Sequence, residues 1–100
     1  MRISDSVVRT IKDSVSRHFG ADARVYLFGS RVDDAGRGGD IDLLVETDRT
    51  GRETIRAKTR VMTDIQLAHG DQKIDIVVTR PGAGDTREIV TEARKEAVPL

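Results

Sequence analysis

The apolar residues of this chain keep changing their spacing, and that rhythm constrains the fold more than any other feature. Val7, Val8, Ile11, Val15 and Phe19 recur about every fourth residue, which predicts an amphipathic helix over Ile3 to Phe19. Ser4 or Asp5 is its expected N-cap and Gly20 its stop. Arg24 to Phe28 then reads as a short strand, and so does Ile41 to Val45. Helical spacing returns from Glu53 to His69, with Ile55, Met62, Ile65 and His69 near one stripe and Gly70 as terminator. Lys73 to Thr79 is a third strand. A turn at Pro81-Gly82 and Gly84-Asp85 leads to a last helix over Arg87 to Val98. The expected order is α-β-β-α-β-α: an α/β fold, a small mixed sheet flanked by helices, in one domain over residues 1–100. The expected core is Val7, Val8, Ile11, Val15, Val25, Leu27, Leu43, Val45, Ile65, Ile74, Ile76, Val78 and Ile89.

Composition removes several classes of function. Lys and Arg number 17 against 17 Asp and Glu, so the basic excess of a general nucleic-acid binder is missing. The absence of cysteine excludes disulfides, thiolate zinc sites and a cysteine nucleophile. Aromatic residues make up 3%, too few for a base-stacking platform. No apolar run approaches the roughly 20 residues that span a bilayer, and Met1 to Asp5 opens no secretory signal. A cytoplasmic location with no membrane partner is the expectation.

Three aspartates stand where strands normally exclude them. Asp40 and Asp42 are two apart, so an extended chain points both to one face. Asp75 lies between Ile74 and Ile76 in the third strand. If that strand pairs beside the second, the three carboxylates can converge. Their mutual repulsion is then relieved by a hard divalent cation with oxygen ligands, and Mg²⁺ suits phosphate oxygens in its shell. Each piece taken alone has a plainer reading, as a solvated strand end or a turn. Gly29-Ser30 changes the balance, because it follows an apolar strand directly. Glycine lets backbone approach a ligand, serine offers a hydroxyl and an amide, and Arg31 adds a permanent cation. His18 and His69 read as helix-end histidines, Tyr26 as a packed strand residue and Lys73 as a wet strand end. Arg52, Arg56, Lys58 and Arg60 read as a solvated face.

The string Leu27-Phe28-Gly29-Ser30-Arg31, a loop, then Gly39-Asp40-Ile41-Asp42-Leu43-Leu44-Val45 closely resembles the signature of the nucleotidyltransferase superfamily with a polymerase-β-like fold. More narrowly, it resembles the minimal nucleotidyltransferases, or MNT proteins. The resemblance covers nearly the whole chain, including Asp75 in the third strand and the ending Glu96-Ala97-Val98-Pro99-Leu100. The loop between Ser30 and Asp40 is slightly shorter than is usual in that family.

That resemblance implies transfer of a nucleoside monophosphate from a nucleoside triphosphate, with release of pyrophosphate. Carried over by position, Asp40, Asp42 and Asp75 are the catalytic and metal-binding residues, serving two Mg²⁺ ions during catalysis. Asp75 is either a ligand of the second ion or a base toward the acceptor. Gly29 and Ser30, with Arg31 as helper, bind the triphosphate of ATP. The resemblance further implies an antitoxin of a toxin–antitoxin pair, which adds AMP to a tyrosine of a cognate HEPN-domain RNase toxin and forms a hetero-oligomer with it. Two alternatives stay open at this point. One is an antitoxin that neutralises its partner by stoichiometric binding, and the other is transfer onto a small molecule or an RNA.

Overall fold

The structure, a computed structural model, describes residues 3–32, 40–82 and 84–100. Helix α1 (Asp5–Phe19) begins two residues after the predicted start. Ser4 is the reason: it is extended, and its side chain accepts from the Val7 N–H at 3.2 Å. Strand β1 (Arg24–Phe28) has the predicted bounds and runs into a 3-10 turn over Gly29–Val32. Strand β2 (Ile41–Glu46), helix α2 (Arg52–His69), strand β3 (Ile74–Thr79) and helix α3 (Glu88–Glu96) follow. The expected α-β-β-α-β-α order is therefore present. The loop predicted over Arg31 to Gly39 falls for the most part outside the described residues.

One element is additional. The last helix does not reach Val98: it ends at Glu96, and Val98–Pro99 form strand β4. Proline disfavours helical backbone in the residue before it, and it cannot donate to a ladder. A two-residue edge strand is the form open to it. Tyr26 pairs with Pro99 and Leu27 with Val98, antiparallel.

The sheet order is β3-β2-β1-β4. β1 and β2 are antiparallel, whereas β2 and β3 are parallel, as the α2 crossover requires. Helices cover both faces. Val25 and Leu27, Ile41, Leu43 and Val45, and Ile74 and Ile76 pack with Ile11, Val15 and Phe19 of α1 and Ala57, Val61 and Ile65 of α2. The alternate residues Phe28 and Leu44 form a smaller cluster with Ala93 of α3, flanked by Tyr26 and Val77. Double coverage explains why β2 reads as a continuous apolar run.

One core assignment, Ile89, and one position of the α2 stripe, Ile55, are corrected. Ile89 is 50% exposed, and Val90 is buried in its place. Ile55 is 66% exposed, because α2 buries the stripe Ala57, Val61 and Ile65. Ile55 lies ten residues before Ile65, about 80° off that stripe at 100° per residue. The predicted surface histidines are also tied down. His69 Nε2 lies 2.9 Å from Thr10 Oγ1, and His18 Nε2 lies 3.0 Å from Asp64 Oδ2, which also accepts from Ser14 at 2.6 Å. These contacts join α1 to α2 beside the core. No helix among the described residues is long and apolar enough to cross a membrane.

Candidate active site

The candidate site forms where β2 and β3 begin and β1 ends. Parallel register sets Asp42 opposite Asp75, and antiparallel register sets Asp42 opposite Phe28. Both aspartates share the α3 face of the sheet with Leu44 and Val77, but they lie toward the strand ends, outside the cluster around Ala93. Asp42 is half-buried and Asp75 exposed.

Gly29 follows Phe28 directly beneath the Asp42 carboxylate. Its φ is +78°, and a Cβ built on it would fall inside the van der Waals shell of Asp42 Oδ2 and 2.9 Å from Cγ. Only glycine meets both demands, the left-handed backbone and the close approach. The Gly29 N–H donates to Glu96 Oε1 at 3.0 Å. Glu96 is a site residue that sequence reasoning passed over. Its signal was its place in the Glu96–Leu100 ending, but only the fold of α3 onto β1 brings it to the turn.

Burial raises the Asp42 pKa above the ordinary aspartate value. Asp75, Asp40 and Glu96 add to that rise by like charge, while Lys73 opposes it. Lys73 is not merely a wet strand end: its Nζ lies 3.5 Å from Asp40 Oδ2. Asp40 itself immediately precedes β2 and is not within it.

The register brings Asp42 and Asp75 side by side at one sheet end, with Asp40 just before β2, but the expected convergence of all three on one point is not present. Among the described residues, no three acidic or histidine side chains close on one point in this conformation. Repulsion spreads uncompensated carboxylates, and Lys73 draws Asp40 aside. The donor set still fits a hard divalent ion. All its atoms are carboxylate oxygens, Asp42 is held in a field of like charge that a cation relieves, and Gly29, lacking a Cβ, makes room for that carboxylate at the sheet end.

Gly29 and Arg31 stand in the 3-10 turn, and the Ser30 side chain lies outside the described atoms. Arg31 is half-buried. A cleft of about 870 Å³ runs elsewhere, along β3 from Ile76 to Arg80 between Ile55 and Ile89. None of the three site aspartates lines it.

At the opposite end of the same face, Glu46 is held by partners. Arg94 donates to its Oε2 at 2.7 Å and Tyr26 to its Oε1 at 2.8 Å. Burial works to raise the Glu46 pKa, but these two hydrogen bonds and the Arg94 charge leave it lowered.

The chain was compared with known proteins. A search of curated proteins found none that matches. The family model described as a nucleotidyltransferase domain matches residues 8–98, from the first turn of α1 into β4, and takes in Gly29, Asp40, Asp42 and Asp75. With nine-tenths of its length accounted for in this way, the chain belongs to the nucleotidyltransferase domain family.

Proposed function

We propose that the chain is an antitoxin that transfers AMP from ATP to a tyrosine of a HEPN-domain RNase toxin and thereby neutralises it. Nucleotidyl transfer from a nucleoside triphosphate, with a divalent metal, is the general chemistry of the family. The observation that carries the reading is the placement of Asp42 over Gly29 and opposite Asp75. It sets carboxylates and a backbone donor at one sheet end. Asp40 and Asp42 would hold Mg²⁺, which when bound neutralises triphosphate charge and stabilises the leaving pyrophosphate, while Asp75 takes the alternative role of base toward the acceptor. The Gly29 amide and the Arg31 guanidinium hold and orient the phosphates. The acceptor phenol oxygen bonds to the α-phosphorus as the bond from that phosphorus to the bridging oxygen breaks. Pyrophosphate leaves, and the phenol proton passes to Asp75. Asp75 is exposed on the outermost strand, open to a macromolecular acceptor.

The test uses the purified chain with Mg²⁺, α-labelled ATP and a purified HEPN-domain RNase, wild type against Asp42→Asn. Label on the HEPN protein with wild type alone supports the reading. Label on RNA or a small molecule replaces the acceptor. No label with either form, while both still bind and silence the partner, favours neutralisation by stoichiometric binding. One contact supports that second reading: Glu96 already occupies the Gly29 amide.

A further inference from the structure

We infer that Glu96 is an internal stand-in for a nucleotide phosphate, holding the Gly29 amide until a triphosphate displaces it and so setting nucleotide affinity. The inference rests on the reading of Gly29 as a phosphate-binding position. A backbone N–H has one proton to give. Here that proton goes to a carboxylate oxygen at 3.0 Å, the same kind of acceptor as a phosphate oxygen. The two anions therefore exclude each other at this amide.

The contact spans 67 positions in sequence, so it is made by the fold and not by local chain geometry. Two anchors present Glu96 to the turn. Before it, Ala93 is buried against Phe28 and Leu44. After it, Val98 pairs with Leu27 and the Leu100 N–H donates to Val25 O at 3.1 Å. Both anchors grip the sheet beside Gly29, while the Glu96 side chain itself is exposed and can swing aside without moving either. The contact also places a further negative charge in the field of Asp42, which already feels Asp75 and Asp40. Glu96 and Asp42 repel each other, so the Gly29 hydrogen bond works against that repulsion in holding the Glu96 carboxylate at the turn. An incoming triphosphate accompanied by a cation meets the same amide with its charge compensated.

Competition has a definite sign. Nucleotide binding to wild type must break a charge-assisted hydrogen bond, and Glu96→Ala removes that cost. Affinity should rise about 10- to 100-fold, the equivalent of one such bond. Glu96→Gln keeps an acceptor without the charge and should fall between.

The experiment titrates α,β-methylene-ATP with Mg²⁺ into wild type, Glu96→Gln and Glu96→Ala by calorimetry. The Gly29 amide is followed by ¹⁵N NMR in the same samples. The expected result is a graded tightening, with the nucleotide-free Gly29 resonance displaced in Glu96→Ala and all three forms converging when saturated. A variant that merely loosened the fold would bind more weakly, so tightening separates competition from a structural role. Equal or weaker binding by Glu96→Ala overturns the inference while leaving the nucleotide site standing. No binding by any form, Glu96→Ala included, overturns the inference and the reading of Gly29 together.

Discussion

Replacing Gly29 by alanine tests the geometry of the site without any ligand. Two costs combine. An L-residue at φ +78° stands in the left-handed region, at about 1–2 kcal/mol. The new methyl also overlaps the Asp42 carboxylate, with Cγ at 2.9 Å and Cβ at 3.2 Å. Asp42 is fixed to a central strand, so the overlap cannot be relieved by a long side chain swinging away; overpacking of this kind costs about 1–3 kcal/mol. Alanine returns roughly 0.4–1 kcal/mol by restricting the unfolded chain. The net is about 3 kcal/mol, a fall in Tm of roughly 12–24 °C for a domain of this size. Gly70→Ala is the matched control. Its φ is +86°, with no heavy atom within 4 Å of the added Cβ, so it carries the backbone cost alone. Thermal and urea unfolding of both variants, each also made in an Asp42→Gly background, separate the two costs. Gly29→Ala should cost about 1–3 kcal/mol more than Gly70→Ala, and Asp42→Gly should erase that excess. Equal costs at the two glycines, or an excess that survives loss of the Asp42 side chain, would refute the close approach.

Other expectations follow from the carboxylates. Asp42→Asn should abolish nucleotidyl transfer yet raise Tm by about 2–4 °C, since it relieves like charge across a strand pair worth roughly 0.5 kcal/mol; differential scanning calorimetry beside the transfer assay checks both. The folded Asp42 pKa is raised, so the folded state binds more protons than the unfolded one between the two values. This residue's unfavourable contribution is full above its folded pKa and fades as pH falls through that value toward 3.8. Stability should therefore fall more steeply toward acid in Asp42→Asn, which lacks this compensating gain, than in wild type, and urea unfolding against pH checks it. Glu46→Gln should destabilise by about 1–3 kcal/mol, because it strips the charge from a buried acceptor of Arg94 and Tyr26, and urea unfolding reads it. Its pKa is lowered on folding, so this stabilisation is present above pH 4.5 and is lost as pH falls through the folded value. Asp64→Ala should loosen α1 from α2 by about 1 kcal/mol, discounted because the carboxylate is partly exposed, and amide exchange in the second half of α1 should report it.

Much of this was legible in the sequence because the relevant signals are local. The strand bounds of β1 and the termination of α1 and α2 at Gly20 and Gly70 follow from periodicity and glycine placement, whereas the sequence left the pairing of Asp42 with Asp75 conditional on β3 lying beside β2. What escaped depends on long-range packing. Ile55 and Ile89 look like core by composition, yet each is turned out because a neighbouring set, Ala57–Val61–Ile65 or Val90–Ala93, faces the sheet. Strand β4 was hidden because Val98–Pro99 is too short to show a period, and only β1 gives it a partner. Glu96 carries no local signal of its partner, because the turn it contacts lies 67 positions away.

The α3 face of the sheet carries carboxylates at both ends, and their surroundings separate structure from chemistry. Glu46 is buried with an arginine and a phenol as donors, and its pKa is driven down. Asp42, two pleats earlier on the same strand, receives no comparable donor among the described residues and feels three like charges, and burial with those charges drives its pKa up. One strand therefore holds one satisfied anion and one frustrated anion, held apart by Leu44. A fold selected for stability alone would treat both alike, since neutral substitution at Asp42 removes a cost. That cost makes sense where a cation or a phosphorylated ligand with its counter-ions completes the cluster. The opposite signs expected for Glu46→Gln and Asp42→Asn are the measurable form of this asymmetry. Destabilisation by both would make Asp42 a structural carboxylate like Glu46 and remove the physical ground for placing the chemistry at this end of the sheet.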